Sequence, residues 1–373
     1  MTPKRELQST LSFGSRHTLL QRVRSGTPRK PRPRALVVLV VVPVALAAAV
    51  TAAGAQPTAR LKTPSVADIA RGPAAIRDAV LSRASLEHLQ KVSSAWGGPY
   101  TASTGETVTV YASSSYPQDP ALGQHWADFL AGLVHGSELL LLTVYLAPLA
   151  EVQSICGQQA IGCYSPDQNL LVAPGDDPAT DTSAEAVVTH EYGHHVAAHR
   201  SDAPWAAIDY GTKRWASYEQ VCSKAAAGTL YPGAETEPDY VLNPGEAFAE
   251  SYRVLNERKA GLPEAPWDVV SQSLYPDDTA LSLVEQDVIT PWTANTTQTR
   301  SGSFAKKGVA TRSYTIATPL DGTLKVTLKA ARGERLVLSR SASATTVCGR
   351  RTLKISVTRK SGSGAFKLTV STP

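Results

Sequence analysis

The chain of 373 residues has only four cysteines, and no two of them have the Cys-x-x-Cys spacing of a zinc-binding pair. Metal ligation by cysteine is therefore not expected.

Acidic residues are scarce at both ends: residues 1–34 contain one against nine Lys and Arg, and residues 300–373 contain two against fifteen. The middle, 35–299, has 29 acidic and 13 basic residues. The net charge of +5 is thus the sum over a basic N-terminal segment, an acidic middle and a basic tail, and we expect the acidic part and the basic tail to be separate bodies.

One long hydrophobic run, ALVVLVVVPVALAAAVTAAGA (35–55), follows a basic stretch near the N-terminus. Ala53 and Ala55 form a cleavage-like site before Gln56, so residues 1–55 are predicted to be a signal peptide. A retained signal anchor is the alternative, because the run is long enough to span a bilayer. In either case the rest of the chain is predicted to be extracellular, secreted or anchored on the outer side of the cytoplasmic membrane.

Four cysteines in an exported chain are expected to pair as disulfides. Cys156 and Cys163 lie in the short stretch SICGQQAIGCY, which favours a local hairpin bridge. Cys222 and Cys348 form the remaining predicted pair, which would link the acidic body to the basic tail.

The hydrophobic pattern of the middle of the chain predicts an α+β lobe. Residues 65–96 favour a helix that stops at Gly97 and Gly98, and residues 56–100 as a whole are a hypothetical pro-segment. Further elements are predicted as a strand (106–113), a helix (119–136), a buried strand (138–148), two short strands (159–175), and a helix introduced by a capping box of Thr182 and Glu185.

The last of these helices contains THEYGHHVAAH (189–199). At 3.6 residues per turn, His190 and His194 lie about 40° apart, so both imidazoles can reach one ion. His195 and His199 lie about 140° and 180° from His190 and cannot join them. Glu191 lies at the edge of the same face, where it can contact a metal-bound water without ligating the metal. This is the geometry of a His-Glu-x-x-His zinc site.

A catalytic zinc site needs a third protein ligand. The stretch LNPGEAFAESYR (242–253) predicts a new helix that begins at Asn243, and it places Glu246 and Glu250 on one face. One carboxylate can bind the ion while the other orients a histidine. If Glu246 only caps the helix start, Glu250 is the ligand; Asp209 is a further alternative.

The two motifs HEYGH and EAFAESYR together resemble those of the gluzincin metallopeptidases, most closely the branch that includes anthrax lethal factor. The resemblance covers roughly residues 100–260 and is specific only in the two motifs. It implies that Glu246 is the zinc ligand and that Glu250 supports the site from behind. It also implies a tyrosine upstream of the glutamate helix that faces the metal, for which Tyr240 is the candidate, although a packing role for Tyr240 is an equal alternative.

The expected chemistry follows from these residue types. One Zn²⁺ held by His190, His194 and Glu246 would activate a water molecule, with Glu191 as the general base. By analogy with zincins, an extended substrate would pair with the strand that precedes the histidine helix. The residues predicted to line this substrate strand are Ile161, Gly162, Cys163 and Tyr164.

The C-terminal part has a different pattern of polar and apolar residues. Residues 293–308 are polar and without periodicity, which predicts a linker. Residues 309–373 contain five or more short alternating runs between turn residues, which predict a small β-sandwich resembling accessory domains of secreted bacterial peptidases. Its positive charge suggests an anionic cell-surface polymer as partner, with simple solvation as the alternative. Nucleic acid is not expected, because no basic helix or aromatic platform accompanies the charge.

The sequence therefore predicts an α+β zincin-like peptidase domain over 101–292, with a mixed sheet, an active-site helix and a glutamate helix, followed by a small all-β domain. The expected function is that of a secreted zinc endopeptidase acting on proteins or peptides. The competing hypothesis is a catalytically silent zincin scaffold that acts as a surface or metal-binding module.

Overall fold

The computed structural model describes residues 95–178, 182–236, 238–339, 345–349 and 351–373. The predicted signal peptide and the predicted helix up to residue 94 lie outside these ranges. Among the described residues, none of the helices combines the length and the apolar character needed to span a bilayer.

A five-stranded mixed sheet forms one layer of the first body. Its strand order is β1-β2-β3-β5-β4; β2, β3 and β5 run parallel, and β1 and β4 pair antiparallel at the two edges. The predicted mixed sheet with an edge strand is confirmed. The strands are β1 (Trp96–Thr101), β2 (Thr107–Ala112), β3 (Thr143–Leu146), β4 (Cys163–Ser165) and β5 (Leu170–Ala173).

Helices of very different lengths complete this body, together with the two-residue strands β6 (Ser201–Asp202) and β7 (Trp205–Ala206). The predicted helix over 119–136 is confirmed, although it ends at Gly132, whereas the short helices had no clear sequence signal. The helices are α1 (Pro120–Gly132), α2 (Leu149–Cys156), α3 (Ala184–Ala198), α4 (Ala207–Tyr210), α5 (Lys213–Tyr218), α6 (Val221–Ala226), α7 (Pro244–Ala260) and α8 (Asp278–Ile289).

Three local predictions were wrong in detail. Trp96 and the two glycines after it lie in β1, where Gly97, at a φ of 119°, passes close to the Val110 carbonyl; the glycines serve strand pairing and not a helix stop. The apolar run 138–148 splits into a 3₁₀ turn, Ser137–Leu141, and the shorter strand β3. Helix α3 is capped by Ser183, whose Oγ accepts from the Ala186 amide, and not by Thr182.

The strands from residue 296 onward form a separate all-β region with its own apolar core. Four strands (order β12-β10-β14-β8) and three strands (order β11-β13-β9) make two antiparallel sheets that share this core. The strands are β8 (Thr296–Phe304), β9 (Thr311–Ala317), β10 (Gly322–Ala330), β11 (Arg335–Leu338), β12 (Thr345–Val347), β13 (Thr352–Ser361) and β14 (Gly364–Thr372).

The interpretation of residues 293–308 as a linker was wrong, because β8 lies within them. This strand pairs with β14 along its whole length, from Thr296 opposite Thr372 to Phe304 opposite Gly364. Only Phe304 of β8 is buried, so the strand carries no apolar alternation that a sequence pattern could reveal.

Both predicted disulfides are present. Cys156–Cys163 ties the end of α2 to β4, and Cys222–Cys348 ties α6 to the segment after β12. The two bodies also meet through polar contacts, among them a hydrogen bond of 2.9 Å from the Asp321 amide to Ser217 Oγ.

Helices α3 and α7 cross at a point where Gly193 faces Ala249. A Cβ on Gly193 would lie 2.8 Å from the Ala249 Cα, so only glycine permits this approach. The crossing holds the start of α7 beside the middle of α3, which is where the two sequence motifs meet.

We expect Gly193→Val to separate the two helices and to lower the free energy of unfolding by about 1–3 kcal/mol through overpacking. Urea denaturation of the purified protein measures the change. Gly132→Val is the matched control, because a Cβ on Gly132 at the end of α1 meets no atom within 4 Å. An equal loss in both variants would contradict the role given to the crossing.

Candidate metal centre

The crossing of α3 and α7 brings together three potential ligand atoms. His190 Nε2 lies 3.2 Å from His194 Nε2 and 3.2 Å from Glu246 Oε2, and His194 Nε2 lies 3.3 Å from the same carboxylate oxygen. Within the described ranges, these three residues are the group of histidine, cysteine and acidic side chains that is close enough to share one ion. His194 and Glu246 are buried, and His190 is nearly so.

The geometry of the triangle fits a metal ion. Ligand bonds of about 2.0–2.1 Å in a tetrahedral arrangement place neighbouring ligand atoms about 3.3 Å apart. The three observed edges are 3.2, 3.2 and 3.3 Å, within about 0.1 Å of this distance. Two nitrogens and one carboxylate oxygen are also a donor set that leaves a fourth position for water or substrate. The group could therefore hold a metal ion.

Glu250 fixes the orientation of His190 from behind. The carboxylate oxygen Oε1 lies 2.8 Å from His190 Nδ1. A carboxylate can only accept, so Nδ1 donates; in the neutral imidazole that a metal ligand requires, the lone pair on Nε2 would then face the centre of the triangle. Burial alone would raise the pKa of Glu250, but His190 and Arg253 hold it at about 2. Glu250 is therefore charged whenever it supports the histidine.

Arg253 in turn holds Glu250. Its guanidinium donates from Nη2 to Glu250 Oε2 at 2.6 Å and from Nε to Oε1 at 3.0 Å, and from Nη1 to Glu257 at 2.7 Å. Glu257 lies four residues after Arg253 on the same helix, a spacing at which opposite charges on a helix meet. The chain His190–Glu250–Arg253–Glu257 is almost entirely buried.

The Glu191 side chain lies against Gly162, just before the edge strand β4. The side chain is buried, and a Cβ built on Gly162 would lie 2.8 Å from Glu191 Oε1. Gly162 is therefore the residue that leaves room for the Glu191 carboxylate. Ile161 and Gly162 precede β4, whereas Cys163 and Tyr164 belong to it.

The other two histidines of the motif have structural partners. His195 Nε2 donates to the Glu138 carbonyl at 2.9 Å, so its Nδ1 accepts from Tyr164 Oη at 2.8 Å. Burial lowers the pKa of His195 to about 4, which keeps it neutral. His199 Nε2 lies 2.8 Å from Asn169 Oδ1. Neither belongs to the metal-binding group, as helix geometry predicted.

A buried ion pair beneath the histidine helix had no sequence signal. Glu138 Oε2 accepts from Arg200 Nη2 at 2.8 Å, and Tyr192 Oη donates to its other oxygen at 3.3 Å. Arg200 also donates to the Asp287 and Val288 carbonyls of α8. Glu138 stands at the start of an apolar run, so only its tertiary neighbours reveal that the pair anchors the end of α3.

The remaining candidates lie outside the triangle. Tyr240 begins the 3₁₀ turn Tyr240–Leu242 directly before α7 and is partly exposed. Tyr252 is buried and donates to the Val134 carbonyl at 2.6 Å, a packing role. Asp209 is buried in α4 and is not part of the metal-binding group found among the described residues.

We expect Glu250→Gln to weaken the affinity for a bound divalent metal about 10–100-fold, because His190 loses the charged acceptor that orients it. Competition with a chelator measures the affinity. Glu257→Gln is the matched control: it alters the same Arg253 network but does not touch His190. If both variants lose the same affinity, the effect belongs to the buried network as a whole.

Comparison with protein-family models, with curated proteins and with solved structures gives no match for this chain. The case for the group His190, His194 and Glu246 is therefore carried by its geometry and by the two sequence motifs.

Proposed function

We propose that this chain is a secreted, zinc-dependent endopeptidase of the gluzincin type. The observation that carries the proposal is the ligand triangle itself: two histidines one helical turn apart and a glutamate from a second helix, with edges of 3.2–3.3 Å. The carboxylate of Glu191, which lies between the two histidines in the sequence, is also buried. Such a combination of three ligands and one additional carboxylate is what a hydrolytic zinc site requires.

A zinc ion held by His190, His194 and Glu246 would supply Lewis acidity, which makes a water molecule acidic near neutral pH. The Glu191 carboxylate would accept a proton from the attacking water and return it to the leaving amine nitrogen. Glu250 would keep His190 Nδ1 protonated throughout. Tyr240 remains the proposed donor to the oxyanion, on the strength of the resemblance alone.

The substrate would bind in an extended conformation along β4. Among the described residues, β4 pairs with β5 alone, so its second edge offers backbone groups to another strand. Addition of a peptide strand to such an edge uses main-chain hydrogen bonds and so tolerates many sequences. The Cys156–Cys163 disulfide anchors this edge strand to α2.

Export is part of the same proposal. The N-terminal hydrophobic segment supports it by its sequence pattern, and two disulfides are typical of an oxidising compartment outside the cytoplasm. The active site would then meet protein substrates outside the cell.

The decisive experiment compares hydrolysis of a mixture of denatured proteins by the purified parent chain and by Glu191→Gln, with bound zinc quantified in both. We expect about one zinc ion in each and a fall in the rate by about 10²–10⁴-fold in the variant, because Gln cannot accept the proton. Zinc in both without cleavage by either would favour the silent scaffold. Absence of zinc from both would refute the metal site.

A second experiment addresses the neighbourhood of Glu191. In Gly162→Ala the new methyl group would displace the Glu191 carboxylate, since a Cβ there lies 2.8 Å from Oε1 and 2.6 Å from Val187 Cγ1. We expect kcat to fall at least about tenfold while zinc is retained. Gly132→Ala, with open space around its Cβ, serves as the control and keeps full activity. An unchanged kcat in Gly162→Ala would contradict the role of Glu191 in the reaction.

A further inference from the structure

The surface of the β region carries positive charge without acidic neighbours. From residue 300 to the end there are fifteen Lys and Arg and two acids, Asp321 and Glu334. Both acids are buried, at 2% and 8% exposure. Asp321 accepts hydrogen bonds from Arg351 and from the Gly349 amide. No acidic side chain of this region is therefore exposed to balance the surface lysines.

Part of that charge lies on one face of the four-stranded sheet. In β10 the even-numbered residues Leu324 and Val326 are buried, so the odd-numbered residues point away from the core. The strand register then assigns the outer residues of the neighbouring strands. This surface, here named the lysine face, consists of Lys325, Thr327 and Lys329 of β10, Lys367, Thr369 and Ser371 of β14, and Thr297, Thr299 and Ser301 of β8.

Two of the lysines stand directly opposite each other. Lys329 pairs with Lys367 in the register of β10 and β14, and like charges in this position destabilise a sheet. In the part of the chain that the structure describes, neither lysine forms an ion pair, and neither does Lys325. Packing does not require lysine at these positions, because all three side chains are exposed. A polyanion laid across the strands would relieve the repulsion.

The other residues of the lysine face indicate what kind of polyanion fits. They are serines and threonines, whose hydroxyl groups both donate and accept hydrogen bonds, as sugar hydroxyl groups do. The face has no aromatic residue, whereas single-stranded nucleic acids are bound largely by stacking on aromatic side chains. It also projects no helix that could enter the major groove of a duplex. Charge and hydroxyl groups together match an acidic sugar polymer.

We propose that the lysine face binds an anionic polysaccharide, with Lys325, Lys329 and Lys367 neutralising its acidic groups and the Ser and Thr hydroxyl groups contacting its sugars. Binding there would hold the protein on an acidic glycan surface. The β region contributes none of the residues of the candidate metal centre, so this inference does not depend on peptidase activity.

The test measures binding of the full chain to polygalacturonate by isothermal titration calorimetry at two salt concentrations. The parent should bind, and more weakly at the higher salt concentration, because exposed charges are screened. Uncharged dextran should not bind. The triple variant Lys325→Glu, Lys329→Glu and Lys367→Glu should lose at least about tenfold in affinity, since three attractions become repulsions.

The matched control reverses three exposed charges on the other sheet: Arg335→Glu, Lys354→Glu and Lys360→Glu. The change in net charge is identical, and we expect a loss of less than about threefold. Thermal melting of both variants verifies folding. Equal losses in the two variants would overturn the proposal in favour of diffuse attraction. Tighter binding to duplex DNA than to polygalacturonate, or binding to dextran, would overturn it as well.

Discussion

The close approach of two helices is the constraint on which the candidate metal centre depends. Gly193, between the two histidines of the motif, lies against Ala249 with no room for a side chain. This contact sets the distance between α3 and α7, and with it the distance from the histidines to Glu246. One ion can be shared only if the ligand atoms stay close to the observed distances of 3.2–3.3 Å. A wider helix spacing would move Glu246 away from the two histidines.

Buried charge surrounds this contact on two sides. Arg253 lies between Glu250 and Glu257 behind the histidines, and Arg200 pairs with Glu138 at the end of α3. Buried ion pairs gain little net stability, since desolvation offsets much of the attraction. Their value here is geometric: each fixes one end of a helix or one imidazole. In this way the hydrogen bond between Glu250 and His190 holds the imidazole in the orientation that a metal ligand needs.

The two bodies also differ in charge. The first body, which contains the candidate metal centre, is acidic, whereas the β region exposes lysine and arginine side chains and no acidic ones. The Cys222–Cys348 disulfide and the contacts of Asp321 and Arg351 with Ser217 join them. An arrangement of this kind allows one body to carry chemistry while the other contacts a surface, and the proposed roles follow that division.

Features that depend on local spacing could be predicted from the residues alone. His190 and His194 had to share a helical face, Asn243 had to begin the next helix, and the cysteines paired as their positions suggested. Other features depended on tertiary structure. The choice between Glu246 and Glu250 at the triangle was open in the sequence, because both lie on one face of α7, and only the angle and spacing of the helix crossing place Glu246 beside both histidines. Strand β8 and the Glu138–Arg200 pair could not be predicted either, because each joins residues that are sixty or more positions apart and no local pattern records such a partner.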